Sequence, residues 1–127
     1  MKGFVFILFT ALGSANAIAQ QELNQHDKIY AELYASYVSH AAFVEICSNF
    51  DGTKNYTKPF EKWVEKNKED IAKGRAILTR HYNAQNFQID EVFSWKTDCE
   101  KSYFKAAAEQ EKLDVCNRLM TFISPSE

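Results

Sequence analysis

Glycine and proline are scarce in this chain of 127 residues, at four and two respectively. A β-sandwich or barrel turns back on itself about every 8–12 residues and needs glycine or proline at many of those turns. So few turn-formers argue against such folds and for helices with few connections. An excess of charge of one sign is also missing, since 15 Lys and Arg stand against 17 Asp and Glu, for a net charge of -2. Neither nucleic acid nor an anionic membrane surface is expected as a partner of such a chain. No CxxC, CxxCH, GxSxG or glycine-rich phosphate loop occurs. The spacings that mark zinc, haem, nucleophile-elbow or nucleotide chemistry are therefore absent.

Apolar residues are plentiful, at 46% with 14% aromatic, which excludes a disordered chain and supplies a core. The segment 1–19 reads as a signal peptide. Lys2 precedes an apolar run from Phe4 to Leu12, and Ala15-Asn16-Ala17 and Ala17-Ile18-Ala19 both fit the small-x-small cleavage rule. The run is shorter than the ~20 residues a bilayer span requires. The expectation is a leader cleaved after Ala19, a single helical domain over 20–127 and a periplasmic or secreted location, without stable membrane insertion.

Four segments of the remaining chain carry apolar residues at helical offsets of three and four. Over Lys28–Phe50 they are Ile29, Tyr30, Leu33, Tyr34, Tyr37, Ala41, Val44 and Cys47, with Asn24 or Asp27 as cap. Over Pro59–Tyr82 they are Phe60, Trp63, Val64, Asn67, Ile71, Gly74, Leu78, His81 and Tyr82, with Ile77 at the margin. This second stripe is the cleanest, and it is read as the scaffold. Gly74 inside it marks a close crossing with a neighbour. Ile89, Val92, Phe93, Cys99, Tyr103 and Ala106 form a third stripe, flanked by Trp95, and Leu113, Cys116, Leu119, Met120 and Ile123 a fourth. A break is expected around Ala107–Glu111, although AAAEQEKL is good helix-forming sequence and also allows one continuous helix. The fold class is all-α: a small antiparallel bundle of about four helices, three if the last two are continuous, stapled by a disulfide.

Cys47, Cys99 and Cys116 are the disulfide candidates. In an oxidising compartment an odd number implies one bridge and one free thiol, or a homodimer joined through the third. In an up-down-up-down arrangement Cys47–Cys116 and Cys99–Cys116 are both within reach. On one continuous helix Cys99 and Cys116 lie about 25 Å apart. Cys47–Cys116 is favoured because it closes the longer loop and ties the last helix to the first.

No catalytic constellation stands out. His26, His40 and His81 are spread over three segments without i,i+4 spacing, so neither a metal nor a cofactor is expected. Tyr30, Tyr34 and Tyr37 line one side of the first helix, with Tyr56 and Trp63 nearby. These five are candidates for a partner-binding patch, since such rings are enriched at interface hot spots. The pattern resembles the small exported helical proteins of Gram-negative bacteria, among them immunity proteins that neutralise periplasmic toxins. That resemblance extends to length, leader, helicity and cysteine use, and it carries no transferable motif. It implies binding to another exported or periplasmic protein, of immunity or inhibitor type, without catalysis. The alternative is a ligand or cofactor carrier with a cavity lined by Tyr37, Trp63, Phe93 and Tyr103.

Overall fold

The computed structural model describes residues 23–125, so the expected leader at 1–19 lies outside the described residues. Four α-helices make up the described chain, with no strand among these residues: α1 (Gln25–Phe50), α2 (Thr57–Asn83), α3 (Ile89–Ala106) and α4 (Glu109–Ile123). Asn24 starts α1, its side-chain oxygen accepting from the Asp27 N–H at 2.7 Å. The turn after α1 is built on Asp51, whose carboxylate accepts from the Thr53 N–H and hydroxyl. Asn55 then accepts from the Lys58 N–H and satisfies one donor of the first turn of α2. At the other end of α2, Asn86 takes the left-handed conformation, φ 66°, that lets the chain reverse toward α3.

The helix that organises the protein is α1 rather than α2. α1 packs along α2, and α3 and α4 each pack on both of them while barely touching each other. Accordingly, between Ala31 and Phe50 only Glu32, Glu45 and Asn49 are exposed. A helix apolar on nearly all sides is one surrounded by partners. The second stripe looks cleaner in sequence because α2 keeps one side in water, not because it is central.

Gly74 does mark the expected close crossing. A Cβ there would overlap the Tyr30 carbonyl oxygen, and would sit 2.8 Å from the carbonyl carbon and 3.0 Å from the Tyr34 Cβ. Ile77, expected at the margin, is buried with Ile71 and Leu78. The Asn67 amide donates to the Trp63 carbonyl one turn back in its own helix. Elsewhere on α2, Lys68 bonds Glu65, and the Lys73 ammonium lies 4.5 Å over the Tyr30 ring.

Two core clusters lie along the α1–α2 pair. One joins Ala31, Tyr34, Ile71, Leu78, Ile89 and Phe93, and so is closed by α3. The other joins Val44, Cys47, Tyr56, Cys116, Leu119 and Ile123, and is closed by α4. Cys47 and Cys116 form the disulfide, with Cα atoms 5.7 Å apart, and Cys99 is free. The break between the last two helices is real, with Ala107 and Ala108 both extended. Helix propensity there yields to tertiary demand. A continuous helix would carry Cys116 about 25 Å past Cys99 and away from Cys47. Glu109 and Glu111, in the first turn of the restarted helix, suit its dipole.

The third and fourth stripes are narrower than expected. Tyr103 is 82% exposed and Trp95 71%, and Leu113 also faces out. Phe104, one residue from Tyr103, takes the inward position and meets Phe43 and Phe50 edge to face.

Candidate functional site

The five aromatic side chains expected to form a binding patch do not form one. Tyr34 is 6% exposed and Tyr56 1%, so both are core residues. The Tyr34 hydroxyl accepts from the Arg75 guanidinium at 2.8 Å, and Arg75 also pairs with Asp90 at 3.2 Å. This chain of contacts ties α1, α2 and α3 together. Tyr30 is half-buried under Lys73. Tyr37 and Trp63 are half-buried too, each stacked on Phe60. The cavity expected for a carrier is also unmade. Phe93 is buried against Tyr34 and Tyr82, while Tyr103 points to solvent.

Among the described residues a groove of about 620 Å³ forms between α1 and α4. Ser39, His40 and Phe43 line its α1 side, and Val115, Arg118, Leu119 and Phe122 are among the residues on its α4 side. The sequence sets this up through the bridge. Cys116 and Leu119 turn inward, so Val115, Arg118 and Phe122, at i, i+3 and i+7, share a neighbouring flank of α4. His40 stacks on Phe122 with ring centres 4.3 Å apart and planes 4° from parallel, and Trp63 backs both rings.

His40 Nδ1 contacts the Ser36 carbonyl, which requires the proton on Nδ1 and leaves Nε2 as the acceptor of the neutral ring. Burial pushes its pKa below the ordinary value, and the Ser36 bond and the Glu100 charge only partly oppose this. Glu100, on α3, accepts from the Ser39 hydroxyl at 3.1 Å and from the Lys96 ammonium at 2.7 Å. Ser39, His40 and Glu100 are the residue types of a hydrolytic triad, yet they are wired otherwise. Ser39 donates to Glu100, His40 to backbone, and no bond joins Ser39 to His40. A serine nucleophile needs the imidazole as its base, and this arrangement lacks that link.

A smaller concavity of about 300 Å³ lies between α1 and α3, with Asp90, Asp98 and Lys101 at its edge. Among the described residues no three His, Cys, Asp or Glu side chains converge as a metal would require.

Arg118, Val115 and Phe122 escaped the sequence reading, although Phe122 left a signal. It is a large aromatic off the fourth stripe, as Trp95 is off the third. Trp95, Cys99 and Tyr103, at i, i+4 and i+8, share one side of α3, with both rings in water. In comparisons with family models, curated proteins and solved structures, no match to this chain is found.

Proposed function

We propose that the protein is a small exported binding protein without catalysis of its own. On this reading residues 1–19 direct export and are removed. The domain over 20–127, an antiparallel helical bundle stapled by its disulfide, then recognises another periplasmic or secreted protein, in the manner of an immunity or inhibitor protein. The observation that carries the reading is the outward face of α3. Trp95 and Tyr103 stand two turns apart at 71% and 82% exposure, on a helix whose opposite side is anchored by Ile89 and Phe93. Large rings held in water on a rigid frame are the usual anchors of protein interfaces. The patch is therefore moved from the tyrosines of α1 to α3. The bridge supports the location, because such bonds persist outside the reducing cytoplasm.

Affinity capture from periplasmic extract at native expression tests the reading, with Trp95→Ala/Tyr103→Ala as comparison. A specific protein retained by the wild type and lost by the double variant is the expected result. Identical recovery by both sinks the assignment to α3. Non-reducing electrophoresis reports whether Cys99 joins two copies.

A further inference from the structure

We propose that the α1–α4 groove binds a single amphiphilic anion, of the class of a free medium-chain carboxylate, with its apolar body against Phe43, Val115 and Phe122 and its acidic head on Arg118. The proposal is independent of the protein-binding role assigned to α3. Its first ground is size and lining: about 620 Å³ falls within the ~300–1,000 Å³ of small-molecule sites, and the walls are mostly apolar. The second is charge. Arg118 is the one Lys, Arg, Asp or Glu side chain among the groove's lining residues, and the Glu100 carboxylate behind Ser39 is held by Lys96 and Ser39. Asp114, one turn before Arg118 and placed to pair with it, accepts instead from Gln110. Arg118 makes no ion pair and no side-chain hydrogen bond among the described residues.

A guanidinium with no partner among the described residues, beside an apolar trough, selects an anion with an apolar body over a neutral or cationic one. The third ground is rigidity. The bridge next to Val115 fixes α4, and the His40–Phe122 stack with Trp63 behind it fixes the wall, so the trough exists before anything enters it.

The test uses the oxidised chain and fluorescence of 8-anilinonaphthalene-1-sulfonate, displaced by dodecanoate or by dodecan-1-ol, all below their aggregation concentrations. Dodecanoate is expected to displace the probe better than the alcohol. Arg118→Gln should weaken dodecanoate about tenfold and leave the alcohol within about twofold, as loss of one charged hydrogen-bonding group implies. Phe122→Ala should weaken both, while circular dichroism confirms an unchanged helical fold. Equal affinity for acid and alcohol, or no effect of either variant, overturns the proposal. Binding of dodecanoate only when it is incorporated in vesicles overturns it as well, because the site would then read a membrane surface and not a free monomer.

Discussion

Replacing Gly74 by alanine separates two opposed effects of known size. By helix propensity alone, Gly74→Ala stabilises α2 by about 1 kcal/mol. The new methyl, however, would land on the Tyr30 carbonyl of α1, 2.8 Å from its carbon and 3.0 Å from the Tyr34 Cβ. Backbone has no rotamer to escape into, so α1 and α2, the most extensively packed pair of helices, would have to separate. Overpacking of this kind costs about 1–3 kcal/mol, and a clash with backbone belongs at the upper end. The difference is a net loss of about 1–2 kcal/mol, or about 4–16 °C in melting temperature for a domain of this size. Thermal unfolding followed by circular dichroism gives the sign directly. Ala76→Gly, two residues along at an exposed position, calibrates the propensity effect and should cost about 1 kcal/mol. A more stable Gly74→Ala would refute the close crossing and the primacy of the α1–α2 contact.

Four further outcomes follow from the fold. Removing the Cys47–Cys116 bridge, which closes a separation of 69 residues, should cost about 4 kcal/mol in urea unfolding, by the chain-entropy relation. A thiol assay on the native oxidised protein should report one free cysteine, Cys99. Burial holds His40 below its ordinary pKa, so as the pH falls the unfolded chain takes up the proton first. The stability due to its neutral form is present above about pH 6.5 and is lost as the pH drops through the folded value. The stability difference between wild type and His40→Gln should therefore shrink on acidification, and a pH-independent difference would contradict that placement. Tyr34→Phe leaves one Arg75 donor bond unmade, and a loss of about 0.5–1.5 kcal/mol in the same unfolding assay is expected.

Local features of this chain are legible in its sequence, and long-range ones are not. Helix positions were legible because apolar spacing is a local signal. Gly74 was legible because a glycine inside a good helix has few other reasons to be there. Tyr34 and Tyr56 were misplaced because tyrosine suits core and interface alike, and what decides is where the hydroxyl or ring finds company. The groove was illegible for a stronger reason. His40 and Phe122 are 82 residues apart by their numbers, and nothing local to either announces the other.

By itself, then, the sequence determined an all-helical chain, the segments that form its helices, a first cap at Asn24 or Asp27 and two partners within reach of Cys116. All of these rest on interactions within a few residues or on simple reach. Tertiary structure decided that α1, not α2, is the helix the others surround, that the chain breaks at Ala107–Ala108 despite good helix formers, and that Cys47 takes the bridge. It also decided which rings face water: Phe104 is drawn in by Phe43 and Phe50, leaving Tyr103 and Trp95 outside. Periodicity specifies a face, and only packing against a particular neighbour specifies how wide a strip of that face is covered.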